Sequence, residues 1–214
     1  NGISAFGTDG FTINGNLTGA NNSGDNFESW NWKANGAGSA NTDGTINSTV
    51  SVNSTAGFSI VGYTGTGSNG TVGHGLGVAP KVIITKARTA SGRFWGVYHA
   101  SNGNTGSQPL NDTQAFDVSA TYWQDTNPTS SVFSVGSNGD SNSSSGMIAY
   151  CFAEKTGYSK FGSYKGNGDA NGTFIYTGFK PAWLLVKRTN DTQDWQLFDN
   201  KINPFNVATL CMRP

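Results

Sequence analysis

Charge is scarce in this chain. Of 214 residues only 12% are Asp, Glu, Lys or Arg, about half the usual share of roughly 25%. Thirteen basic and thirteen acidic residues balance to a formal net charge of zero. No basic surplus is left to neutralise phosphates, so nucleic acid is not an expected partner. Long hydrophobic runs are missing too. None approaches the roughly 20 residues of a membrane span, and no membrane partner is expected. Cysteine is nearly absent: Cys151 lies in a strand-like run and Cys211 near the C-terminus. That is too few for a disulfide framework, the spacing suggests no zinc site, and two buried thiols are expected. Helical periodicity of useful length is found nowhere. The chain opens at Asn1 in mid-pattern, without an initiator Met or a signal-peptide pattern. The expectation is a processed fragment or the ordered part of something longer.

What the chain does have is glycine, small polar residues and aromatics. Gly accounts for 30 residues, and Asn, Ser and Thr fill most of the other polar positions. Six Trp, seven Tyr and thirteen Phe sit in periodic strands. They supply a core built from large side chains on short, turn-bounded strands. Such a composition fits an extracellular or virion β-protein solvated by amides and hydroxyls.

One device organises the sequence. Gly75-Leu-Gly-Val-Ala-Pro-Lys-Val-Ile-Ile-Thr-Lys-Ala-Arg88 leads a glycine-rich turn through Pro80 into a β-branched run and a basic pair. It recurs as Gly178-Phe-Lys-Pro-Ala-Trp-Leu-Leu-Val-Lys-Arg188, with Pro80 and Pro181 separated by 181 − 80 = 101 residues. The flanks match in order. Gly62-Tyr63 through Gly67 answers Tyr164 through Gly168, and Asn69-Gly70-Thr71 answers Asn171-Gly172-Thr173. Phe94-Trp95 with Val97-Tyr98 answers Trp195 with Leu197-Phe198. Near the start, Phe11-Thr-Ile13 and Phe27 to Ala34 correspond to Phe133-Ser-Val135 and Met147 to Ala153. Trp30 and Trp32 answer Tyr150 and Phe152 at an offset of 150 − 30 = 120. This is an internal repeat.

The fold expected is all-β: antiparallel β-sandwich modules in tandem, about 100–120 residues per repeat. Residues 1–34 read as the C-terminal half of a preceding repeat, with Trp30 and Trp32 as core filler. Residues 35–56 read as a connector with an edge strand, on the alternation of Ile46, Val50 and Val52. Residues 57–157 form the complete repeat, with strands at 57–63, 71–76, 81–88, 93–99, 113–118, 131–135 and 146–154. Residues 158–214 form the N-terminal half of a following repeat. The two half repeats either belong to a longer array or pair with each other.

Four strings carry a resemblance. They are Thr55-Ala-Gly-Phe-Ser-Ile-Val61, Thr71-Val-Gly-His-Gly-Leu-Gly-Val-Ala-Pro-Lys81, Tyr122-Trp-x-x-Thr-x-Pro-Thr-x-Ser-Val-Phe133 and Tyr150-Cys-Phe-Ala-Glu-x-x-Gly-Tyr-Ser-Lys-Phe161. In that order the chain resembles, over essentially its whole length, a repeat family of the large appendage proteins of marine tailed phages. The resemblance implies a virion structural protein of the tail-fibre, spike or capsid-decoration kind on the virion surface. Its implied partners are other virion proteins and copies of itself, a trimer among the candidates, with the host surface as a candidate contact. The family supplies no catalytic residues, so none is carried over.

The residues offer little chemistry. No catalytic set is visible, and no cofactor or metal is expected. His74 lies in a Gly-His-Gly turn and reads as a strand-end hydrogen-bonding group; His99 has Asp199 as its counterpart. Glu28 and Glu154 are the only glutamates and fall at non-equivalent positions, so they make no glycosidase pair. Asp112, Asp117 and Asp125 would serve a distant depolymerase reading. Asp140-Ser-Asn142-Ser-Ser144 alternates oxygens as calcium loops do, but lacks the early Gly. The best candidate is a glycan site on Ser119 to Pro128. There Tyr122 and Trp123, adjacent in an extended chain, would face opposite ways, and Gln124, Asp125 and Asn127 would supply rim hydrogen bonds. The competing reading has Trp123 plugging the end of the sandwich. The expected alternative function is therefore a lectin-like, carbohydrate-binding module for a host glycan.

Overall fold

Alternation of buried and half-buried side chains on three β-strands shapes this protein. The structure, a computed structural model, describes residues 2–15, 19–27, 29–202, 204 and 210–213. It is all-β with antiparallel sheets, and two compact units are distinguished, residues 1–32 and 33–214.

In the first unit β1 (Gly2–Phe6) and β2 (Phe11–Asn14) form an antiparallel hairpin closed by Gly7 N–H donating to the Gly10 carbonyl at 2.7 Å. Residues 29–32 are not in a strand, and Trp30 and Trp32 are 41% and 43% exposed. The core role expected for these two indoles is therefore corrected. An aromatic pair is buried only where neighbouring strands and a covering layer exist, and a two-stranded hairpin supplies neither. Glu28 lies outside the described residues.

The second unit begins with β3 (Ser39–Asn41), β4 (Ser48–Asn53), β5 (Phe58–Thr64), β6 (Gly70–Gly73), β7 (Val82–Ala87), β8 (Gly96–His99), β9 (Gly106–Ser107) and β10 (Asp117–Val118). The one-turn helix α1 (Ala120–Trp123), β11 (Val132–Val135), the one-turn helix α2 (Gly139–Asn142) and β12 (Gly146–Phe152) follow. The hairpin β13 (Trp183–Val186) and β14 (Gln196–Asp199) comes last. The main sheet has the order β3-β4-β5-β12-β7-β8, antiparallel throughout. Three two-stranded sheets, β6–β11, β9–β10 and β13–β14, complete the unit.

The odd-numbered residues of the central strands share one face. Met147 lies opposite Tyr63 and Ala87, Ala149 opposite Val61 and Thr85, and Cys151 opposite Ser59 and Ile83. All nine are buried. Against them pack Val72 of β6, Phe133 and Val135 of β11, and Tyr122 and Trp123 of α1. Period-2 alternation fixes this register, because a slip of one residue would turn the whole set to the other face. Both sheet edges, β3 and β8, are short, which limits edge-to-edge association.

Residues 35–56 are more than a connector, since they supply β3 and β4 to the main sheet. β4, the strand seen in the Val50 and Val52 alternation, is one place in from the edge because β3 covers it. Neither helix shows a period in the sequence, because four residues are too few for one. Their local signal is the cap. Ser119 Oγ accepts from Thr121 N–H at 3.3 Å, and Asn138 Oδ1 accepts from Asp140 N–H at 2.8 Å. Cys151 is buried and burial pushes its thiol up to about 12, whereas Cys211 is exposed, against the expectation of two buried thiols.

Phe133→Ala empties a core site that is 1% exposed and should cost about 3–5 kcal/mol in urea unfolding. Phe174→Ala, at 86% exposure, should change stability by less than about 0.5 kcal/mol.

Candidate functional site

The stretch with most sequence promise, Ser119 to Pro128, folds inward. The capped turn α1 is helical rather than extended, so Tyr122 and Trp123 do not point to opposite faces. They are 6% and 1% exposed. Trp123 Nε1–H donates to the Gly106 carbonyl at 3.0 Å, and its ring meets Tyr98 edge-on at a centroid distance of 5.9 Å. Tyr122 O–H donates to Asp117 Oδ2 at 3.2 Å. Burial, with Asp117 and Asp140 nearby, pushes this phenol up to about 12. Gln124 turns the chain at φ 56°, and its amide donates to the carbonyls of Gly70 at 2.9 Å and Val135 at 2.8 Å. Asp125, also left-handed at φ 48°, is exposed, as is Asn127, whose Oδ1 accepts from Tyr98 O–H at 3.5 Å. The glycan site on Tyr122, Trp123, Gln124, Asp125 and Asn127 is thus corrected: neither ring offers a face for a sugar to stack on, and the segment closes the core.

The other polar candidates are likewise committed to the chain itself. His74 is fully buried. Nδ1 accepts from Leu76 N–H at 3.2 Å, and Nε2 faces the Thr129 carbonyl at 3.2 Å, which selects the neutral tautomer protonated at Nε2. Burial holds its imidazole below the ordinary value, opposed by the Thr129 carbonyl and Asp43. In the calcium-like string, Asn142 is a buried pin. Its Oδ1 accepts from Thr66 N–H at 2.8 Å, and its Nδ2 donates to the carbonyls of Ser68 at 2.6 Å and Gly136 at 2.8 Å. Asp140 Oδ1 accepts from Phe94 N–H at 2.9 Å, and burial raises its carboxyl pKa. Asp112 holds both the backbone and the side-chain amide of Gln114, and Asp117 holds Tyr122. Among the described residues no group of three or more His, Cys, Asp or Glu side chains gathers where it could hold a metal ion.

A built contact lies on the opposite face of the main sheet. β13–β14 pairs in the same pattern as β7–β8: Trp183↔Asp199, Leu184↔Phe198, Leu185↔Leu197 and Val186↔Gln196 parallel Val82↔His99, Ile83↔Tyr98, Ile84↔Val97 and Thr85↔Gly96. This second hairpin lies against the outer face of the main sheet. Trp195 is buried with Val82 and Val97, and Ile84, Leu110, Phe152, Phe161 and Leu185 surround them. Trp195 Nε1–H donates to the Pro109 carbonyl at 2.7 Å. Around it Gln108 Nε2–H reaches the Arg188 carbonyl at 3.0 Å, Phe116 N–H the Thr189 carbonyl at 2.9 Å and Gln193 N–H the Thr113 carbonyl at 2.8 Å. The signal for this contact was present in the sequence as Trp195 matching Trp95; only the docking partner was not.

Two outcomes follow. His74, with its pKa lowered by the fold, binds its proton later than in the unfolded chain. Stability should therefore fall as the pH drops through the unfolded value of about 6.5 and go on falling to the folded value. His99 contributes in the same sense, and Asp140 in the opposite sense in more acid solution. In H74Q the slope of urea-unfolding free energy between pH 7.5 and 5 should flatten, by at most about 1.4 kcal/mol per pH unit. Trp195→Ala should speed amide exchange throughout 183–199 while leaving 146–152 as protected as before.

Residues 1–214 match the model of a family described as a domain of unknown function, DUF7483. Neither the curated proteins nor the solved structures contain a match. By that match over its whole length, the chain belongs to the DUF7483 family.

Proposed function

We propose that this chain is a structural module of a tailed-phage particle, part of a tail fibre, spike or capsid-surface appendage, built from tandem antiparallel β-sandwich repeats. One observation supports it most. The second copy of the strand device forms a hairpin of the same register as the first and docks on the preceding sheet through Trp195. A chain whose successive repeats pack on one another makes a stiff rod or stalk, which is what an appendage needs. The resemblance of the four strings to phage appendage repeats points the same way, as does a low-charge, amide-rich composition.

On this reading the protein acts without turning over a substrate. It works on the virion surface beside other virion proteins and copies of itself. The lectin-like alternative had its support in Tyr122 and Trp123, and burial of both rings removes that support.

Immunogold electron microscopy of the phage particles, with antibody raised against residues 58–154, tests the proposal. Label on fibres or on the capsid surface is expected. Absence of label from every particle, with the protein found free or on cells, would overturn it.

A further inference from the structure

Glycine inside a strand weakens it, and a close approach of other atoms is the usual reason for one. For most strand glycines of the second unit the chain itself supplies that reason. A Cβ on Gly70 would lie 2.8 Å from the Ile46 side chain, on Gly73 1.7 Å from the Asn41 amide, on Gly96 3.0 Å from the Thr85 hydroxyl and on Gly106 2.0 Å from the Asp117 carbonyl. Gly62 of β5 and Gly146 of β12 are different. The nearest atom to a Cβ on either is 3.9 Å away, the Thr49 carbonyl for Gly62 and the Thr89 hydroxyl for Gly146, and neither has a positive φ. Their counterparts along the chain are Ser163 and Asn26, at the repeat offsets 163 − 62 = 101 and 146 − 26 = 120. Nothing within the chain calls for glycine at either place.

The two glycines meet in one cleft. Gly62 lies opposite Thr49 of β4 and Ile148 of β12, and Gly146 lies opposite Thr64, all on the outer face of the main sheet. Together they floor an open cleft of about 490 Å³. The β13–β14 hairpin packs at the other end of this face, on Val82 and Val97. Asn47, Thr49 and Thr64 stand along one wall of the cleft. Arg88 stands on the other, its backbone N–H donating to the Gly146 carbonyl at 2.7 Å. All four side chains are exposed, and among the described residues none has a hydrogen bond or an ion pair. Lys160, Arg188 and Arg213, by contrast, are each paired with a carboxylate. Lys86, two residues before Arg88 on the same face, is held by the Arg93 carbonyl and lies 5.7 Å from the centre of the Trp95 ring. The cleft therefore presents one free guanidinium among uncharged hydroxyl and amide groups.

We propose that this cleft binds an acidic saccharide, with Arg88 holding the carboxylate of a uronic acid unit and Asn47, Thr49 and Thr64 bonding its hydroxyls. A guanidinium fork matches a planar carboxylate in two parallel hydrogen bonds. The remaining groups suit a ligand that carries many hydroxyls and few charges. The bare floor over Gly62 and Gly146 lets a sugar ring lie against the backbone, which is the close approach that would explain glycine there. An acidic peptide fits less well. The backbones of β5 and β12 are already paired on both sides, so a peptide finds no ladder to join. The site is separate from the segment Ser119 to Pro128, and the inference holds whether or not the chain belongs to a particle.

Titration calorimetry at low ionic strength tests it, with oligosaccharides of galacturonate, alginate and hyaluronan as probes. At least one should bind, more weakly as salt is added, and its methyl-esterified form should not. Poly-L-glutamate should not displace it. R88Q should weaken binding at least about tenfold, through loss of the charged hydrogen bonds. G62V places a side chain on the open floor and should abolish binding, while its urea-unfolding midpoint stays or rises because valine suits a strand better than glycine. If G62V fails to fold, R88Q at its exposed position carries the test alone. Binding of none of the three saccharides would overturn the proposal. So would displacement by poly-L-glutamate, or wild-type affinity in R88Q.

Discussion

The pairing of β12 between β5 and β7 is the constraint on which the rest depends. β5 ends at Thr64 and β12 begins at Gly146, opposite it in the register, so the contact spans 146 − 64 = 82 residues. Until it forms, the first half of the repeat has no continuous sheet and no single face to bury. Once it forms, Met147, Ala149 and Cys151 draw the odd-numbered residues of both neighbours onto one side, and the intervening chain must fold back over them. Loop-closure entropy opposes such a contact, and burial of an entire face is what offsets it.

The fold-back is organised by polar groups rather than by more strands. β6–β11 covers only part of the face, and α1 and α2 fill the remainder as single turns. Turns that short cannot satisfy their own backbone, so buried side chains do it. Asn142 joins the 66–68 and 136 backbones, and Gln124 joins 70 and 135. Trp123 ties α1 to β9. Each donor or acceptor left unmatched here would carry the full penalty of a buried polar group. The same accounting explains why polar residues that look functional in sequence are structural in place. A chain with few charges has only its amides, hydroxyls and two imidazoles for this task, and uses them inside.

Most strands were legible because their signal is local. Val82 to Ile84, Val132 to Val135 and Met147 to Phe152 are apolar runs bounded by turn residues, and each is a strand within one or two positions of its expected limits. What was illegible depended on information that is not local. Tyr122 and Trp123 suggest an outward ring only if the chain there is extended. Ser119 caps a helical turn instead, and a four-residue helix leaves no period to find. Trp30 and Trp32 carry the strand pattern of Tyr150 and Phe152 but lack the two flanking strands that make such a pattern a strand. His74 was read correctly as a strand-end hydrogen-bonding group because a lone imidazole between glycines has no chemical partner in the sequence.

The docking of β13–β14 adds a second layer to this hierarchy. Pairing with β14 needs only the local hairpin 183–199. Trp195 then finds a site on the preceding repeat because the outer face of β7, β8 and β12 is itself partly apolar, with Val82, Val97 and Phe152 on it. The main sheet is thus covered on both faces, by β6–β11 and α1 on one and by the β13–β14 hairpin on the other. In the segment between Ser119 and Pro128 the two aromatic rings are buried, while Asp125 and Asn127 are exposed. Its aromatic residues join the layers: Trp123 ties α1 to β9, and Tyr122 holds Asp117 of β10.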